Sequence, residues 1–115
     1  MEKILTKLKK TQGILAIILT NREGNLLYGS SNLDVSPVVL AGLTASLQGF
    51  LSEILQGVKM GNFKDTIING DTGRIIISSL NNGNILVIFT TATGNLGLIK
   101  FALSNTIEAL NKLNH

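Results

Sequence analysis

Two stretches of this chain are apolar at alternate positions and at the positions between them. Residues 13–20, GILAIILT, carry Ile14, Ala16 and Ile18 on one alternation and Leu15, Ile17 and Leu19 on the other. Residues 85–91, ILVIFTT, repeat the pattern. Successive side chains of a strand point to opposite faces. A strand apolar on both faces is central in a sheet covered on both sides. The rest of the chain must therefore supply two covering layers.

The remaining segments can do so. Residues 2–10 read as a short helix, with Ile4, Leu5 and Leu8 on one face and lysines on the other. A helix this short is marginal alone and has to dock. Residues 21–25, NREGN, form a turn with Gly24 placed for positive φ, and residues 26–30 return as a second strand. Ser36 is an N-cap and Pro37 the first position of a long helix reaching Gln56, with Gly57 beyond its end. Strand character resumes at 65–69, a turn follows at 70–73, and another strand covers 74–80. Residues 81–84, NNGN, make a hairpin turn, in which Asn-Gly suits type I′. A last helix covers 96–113, with Ile99, Leu103, Ile107 and Leu110 buried. The order αββαβββα implies one domain over 1–115. Its fold is a three-layer α/β/α sandwich around a five-stranded, mainly antiparallel sheet. The central helix covers one face and the terminal helices the other.

The central helix points to function. Leu40, Leu43, Leu47, Phe50 or Leu51, and Ile54 form an apolar stripe expected to face the core. Around the other side come Val38, Gly42, Ala45, Ser46, Gly49, Ser52, Glu53 and Gln56, with Glu53 the only charge in the helix. A glycine costs about 1 kcal/mol relative to alanine in a helix interior. Small residues let a second helix approach closely. Val38, Gly42, Ala45, Ser46, Gly49, Ser52 and Glu53 are thus expected to meet the same helix of a second copy across a two-fold axis. The alternatives are that the glycines mark a poor, mobile helix, or that they allow close approach to the chain's own sheet. Asp65, Thr66, Ile67, Ile68 and Asn69 read as an edge strand able to pair across that axis.

Composition narrows the function classes. Charged residues are 15% of the chain against 44% hydrophobic, whereas an average soluble protein has roughly 25% charged. So little charge on so small a chain implies apolar surface covered by another chain. Lys3, Lys7, Lys9 and Lys10 cluster near the N-terminus, but the other basic residues are scattered and aromatics are few. This argues against nucleic acid and leaves membrane contact at most indirect. There is no cysteine, no secretory leader pattern, and the longest apolar run, residues 14–19, is far short of a span. These features fit a cytoplasmic protein.

Catalytic signals are poor. The single histidine is His115, which removes Ser-His and His-metal systems. The seven acidic residues stand singly. Gly94-Asn95-Leu96-Gly97 before the last helix lacks the Lys and Ser/Thr of a phosphate loop. It reads as a tight turn with close packing at Gly97. No enzyme, cofactor or metal is expected.

The chain resembles the Roadblock/dynein light chain family. The resemblance rests on Gly13-Ile14 running into Arg22-Glu23-Gly24-Asn25-Leu26, on Leu40-Ala41-Gly42-Leu43 in the central helix, on Asn95-Leu96-Gly97 with Ile99-Lys100, and on the element order. The central helix has Gly where the family more usually has Ala, and Lys100 stands where Arg is common. The resemblance implies a homodimer joined through the central helix and adjacent edge strand, giving a continuous sheet under two helices. It implies a scaffold or regulator of a Ras-like small GTPase, acting without an arginine finger of its own. Arg22 and Arg74 are the only arginines, both near turns. Gln48, Ser52, Gln56 and Lys59 are the expected partner platform. Competing readings are a PAS-like or profilin-like small-molecule sensor, and a dynein-light-chain-like structural subunit, including one that pairs with a paralogue.

Overall fold

The computed structural model describes residues 1–113; His115 lies outside the described residues. The elements are α1 (Glu2–Lys9), β1 (Ile14–Thr20), β2 (Leu26–Ser31), α2 (Pro37–Gly57), β3 (Asp65–Asn69), β4 (Gly73–Ser79), β5 (Ile85–Thr91) and α3 (Leu96–Leu113). The strands form one sheet in the order β2-β1-β5-β4-β3, and every neighbouring pair is antiparallel. The doubly apolar strands β1 and β5 lie inside the sheet, as their composition requires. β2 and β3 are the edges.

α1 and α3 cover one face. Leu5, Leu8, Ile99, Leu103 and Leu110 pack there on Ile17, Leu19, Ile76, Leu86 and Ile88. Strict alternation would put Ile14 with Ala16 and Ile18, but it joins Ile17 and Leu19 on the α1/α3 face. The cause is a register shift between Ile14 and Ala16 against β5, since an extra residue in one strand reverses the alternation. α2 covers the other face, over Ala16, Ile18, Ile77, Ile85, Val87 and Phe89.

Local signals set the ends of the elements. Ser36 Oγ accepts from the Val38 N–H at 3.2 Å, capping α2 with Pro37 at its first position. Asn95 Oδ1 accepts from the Leu98 N–H at 3.0 Å, capping α3. In the β1–β2 turn, Asn21 Oδ1 accepts from the Glu23 and Asn25 N–H groups, and Gly24 takes φ +86°.

Three turns differ from expectation. Gly57 is the last residue of α2, and the left-handed position falls to Lys59, with φ 61°. In the 81–84 turn only Gly83 has positive φ (89°), and its N–H donates to the Leu80 carbonyl at 3.0 Å. Type I′ would need positive φ at Asn82 as well. The close packing before α3 is at Gly94, where an added Cβ would stand 3.1 Å from Ile99 Cδ1; Gly97 meets only Asn95 Oδ1, at 3.4 Å.

Candidate functional site: the central helix, the β3 edge and an adjoining cleft

The largest correction concerns which way α2 faces. Its small residues turn inward: Ala41 and Ala45 are 0% and 5% exposed, and Thr44 is buried with its hydroxyl donating to the Leu40 carbonyl at 2.7 Å. Leu40, Leu47, Leu51 and Leu55 flank them as half-buried wedges. Leu43, Phe50 and Ile54, expected in the core, are 63%, 65% and 62% exposed, and Val39 continues the same stripe. The reason is clearance. The sheet beneath α2 already carries Ile18, Ile77, Val87 and Phe89, and the β1–β2 turn rises against the helix at Gly24. A Cβ on Gly24 would stand 3.1 Å from Gly42 Cα and 3.6 Å from Ala45 Cβ. Only small side chains fit under α2, so the large ones turn outward.

Ala45 is therefore buried within its own chain and does not belong on an outward face; Gly42 is half-buried beside the β1–β2 turn, yet an added Cβ there would meet nothing within 4 Å. Val38, Ser46, Gly49 and Glu53 are exposed, and Ser52 is half-buried. An added Cβ on Gly49 meets nothing within 4 Å.

β3 lies on the sheet edge, as its polarity suggested. Thr66 and Ile67 are half-buried, while Asp65, Ile68 and Asn69 are exposed. Ile67 packs into the α1/α3 core, and Ile68, opposite Ile75, faces the α2 side.

Three of the four expected platform residues meet. Gln48, Ser52 and Gln56 line a cleft of about 430 Å³ beneath the flank of α2, closed at its far side by Asn62, Phe63, Leu80 and Gly83. Gln48 Nε2 donates to Ser52 Oγ at 3.0 Å. Lys59 is not in this cleft; it lies in the turn that ends α2. The cleft also holds Arg22, which the sequence offered only as a turn residue. Arg74 has a different role: its guanidinium donates to the carbonyls of Ala92 (2.8 Å), Gly94 (3.1 Å) and Thr91 (3.5 Å), tying β4 to the loop before α3.

α2 is also the one helix among the described residues long and apolar enough to cross a membrane, with a mean hydropathy of 1.6. The sheet argues against that use. A spanning α2 would put β1 and β2 on one side of the bilayer and β3 to β5 on the other, yet β1 pairs with β5 along its whole length.

Fold and site together define a class: a small three-layer α/β/α module whose single chain leaves an apolar stripe of its central helix exposed and carries β3 at an edge of its sheet. The chain belongs to the Roadblock/LC7 domain family, whose domain it matches over residues 1–90. It is similar to uncharacterized protein MJ1340 of Methanocaldococcus jannaschii, at 24% identity over 110 residues and 96% of both chains. Its fold is that of Myxococcus xanthus MglB, with TM-score 0.89, 18% identity, and 96% of this chain and 94% of that chain covered. It is likewise that of a Roadblock/LC7 domain from Streptomyces avermitilis, with TM-score 0.85, 10% identity, and 98% and 96% coverage.

Proposed function

We propose that the chain, as one Roadblock-like unit over residues 1–115, is a non-catalytic cytoplasmic homodimer that serves as scaffold or regulator for a Ras-like small GTPase. The observation that carries the homodimer is the outward stripe of Val39, Leu43, Phe50 and Ile54, each at least half exposed in the single chain. Apolar surface grouped in this way marks an association site. Two such stripes from antiparallel α2 helices would bury each other, with Val38, Ser46, Gly49 and Glu53 at the rim. The free edge of β3, from Asp65 to Asn69, would pair across the same axis and extend the sheet. The interface thus uses the helix and strand expected from the sequence, but the opposite stripe of the helix.

Family membership and the likeness to MglB support the GTPase partner in this reading. Arg74 is committed to the carbonyls of Thr91, Ala92 and Gly94, and Arg22 lines the cleft under α2; regulation in this reading works by ordering the GTPase's own catalytic groups. The sensor reading has less support: among the described residues every buried side-chain nitrogen or oxygen has a hydrogen-bond partner, which leaves no orphan polar group inside to meet a ligand.

Sedimentation equilibrium of the purified chain, followed by pull-downs from the source cell with GTP-loaded and GDP-loaded lysate, tests both parts. Two chains per particle and a nucleotide-dependent small GTPase in the eluate are expected. A monomer at all concentrations overturns the homodimer, and capture of a paralogue in its place converts it to a heterodimer. A GTPase absent from both eluates removes the regulatory role.

A further inference from the structure

Beyond the helix stripe, the cleft under α2 has a chemistry of its own. Among the described residues Arg22 is the one charged side chain lining it, and none of the seven acidic residues does so. Among the described residues Arg22 makes no ion pair and no side-chain hydrogen bond. Its side chain is exposed and lies over Gly83. An added Cβ on Gly83 would stand 2.6 Å from Arg22 Nη2, 2.7 Å from Nε and 2.8 Å from Cζ, so the guanidinium occupies space that any other residue at position 83 would fill. Gly83 sits there at φ +89°, a conformation that favours glycine on its own account. The 81–84 turn thus leaves room for the arginine of the 21–25 turn at the cleft.

The groups around it are hydrogen-bond donors. Gln48 Nε2 donates to Ser52 Oγ, which leaves the Ser52 hydroxyl proton free to donate elsewhere. Gln56 and Asn62, both exposed, add side-chain amides to the lining. Phe63 and Leu80, 7% and 6% exposed, are the buried apolar side chains of the lining. A guanidinium with no acceptor among the described residues, beside neutral amides and a hydroxyl that can donate, matches an oxyanion.

We propose that this cleft is an oxyanion-binding site, in which Arg22, the Ser52 hydroxyl and the amides of Gln56 and Asn62 take a carboxylate or a phosphate group. The site is made entirely by one chain. Gln48 and Ser52 each lie two positions from Phe50, which at about 100° per residue puts them some 160° around α2 from the outward stripe. The cleft shares Gln48, Ser52 and Gln56 with the expected partner platform and Gly49 with the rim of the helix stripe, but anion binding is read on the free chain, without a GTPase.

The test is a titration of the ¹⁵N-labelled full chain followed by NMR, with inorganic phosphate in one arm and glutarate in the other, each balanced by sodium chloride at constant ionic strength. Saturable shifts are expected at the Gly49, Ser52 and Gly83 amides and at Arg22 Nε, and the arm that saturates at lower concentration identifies the preferred oxyanion. Arg22→Gln is expected to weaken binding by about tenfold or more, the loss of a charge-assisted pair. Gly83→Asn keeps the arginine and tolerates positive φ, but its Cβ displaces the guanidinium and is expected to weaken binding as well. The same spectra report whether each variant is folded. Shifts that never saturate, that centre on Lys3 to Lys10, or that keep wild-type affinity in either variant overturn the proposal.

Discussion

Gly24 and Gly42 meet backbone to backbone: a methyl group on Gly24 would stand 3.1 Å from the Cα of Gly42. The two glycines are nevertheless not equivalent. Gly24 holds φ +86° and its Cβ would point into the helix, whereas a Cβ on Gly42 meets nothing within 4 Å. Gly24→Ala should therefore cost about 2 kcal/mol or more, from left-handed strain plus a backbone clash. Gly42→Ala should gain up to about 1 kcal/mol from helix propensity. Urea denaturation at one fixed protein concentration measures both. A destabilised, monomeric Gly42→Ala would instead show that a second chain covers position 42.

The outward stripe predicts a separation of fold from assembly. Phe50 and Leu43 are 65% and 63% exposed in the single chain, so Phe50→Glu or Leu43→Glu removes little from the monomer's core. Circular dichroism should stay native-like while light scattering drops from two chains to one, because a charge buried without a partner across the axis costs several kcal/mol. A folded Phe50→Glu protein that still scatters as a dimer would place the interface elsewhere.

Arg74 predicts a stability effect without an effect on assembly. Hydrogen bonds from a charged group contribute more than neutral ones, and three carbonyls depend on this one guanidinium. Arg74→Ala should cost about 2–3 kcal/mol, read as a lower urea midpoint. Arg74→Lys should recover only part of it, since an ammonium cannot reproduce the planar fork. Equal stability of the lysine variant and the parent would mean that charge alone suffices.

Most of the architecture was legible because it is local. Ser36-Pro37 and Asn95 mark helix starts, Gly24 marks a turn, and the doubly apolar β1 and β5 announce their place inside a covered sheet. The facing of α2 was not legible. Its sequence offers two stripes, one large and apolar and one small, and either could sit on a sheet. The choice was made by the clearance that Ile18, Phe89 and the rising Gly24 turn leave beneath the helix, a property of residues far away in the chain. The bulge that moves Ile14 to the opposite face is hidden for the same reason, since it exists only in the register with β5. Gln48, Ser52 and Gln56 could be grouped from helical spacing, but Arg22 joins them only because the 21–25 and 81–84 turns lie at one end of the sheet.

The end of α2 supplies the last prediction. The Met60 N–H donates to the Leu55 carbonyl at 2.8 Å and the Lys59 N–H to the Gln56 carbonyl at 3.1 Å. These are the paired bonds of a Schellman motif, whose left-handed position is most often glycine. Here Lys59 occupies it, with φ 61°, a conformation costing a side-chain-bearing residue roughly 1–2 kcal/mol. Glycine removes that strain but has more backbone entropy to lose on folding, about 0.5–1 kcal/mol. Lys59→Gly should therefore gain roughly 0.5–1 kcal/mol, seen as a few degrees in Tm for a chain of this size. The variant also deletes a side chain from the expected partner platform. Unchanged GTPase capture by this more stable protein would remove Lys59 from that platform and leave the cleft residues as its remaining members; weakened capture would show that the strained turn is kept to present the lysine.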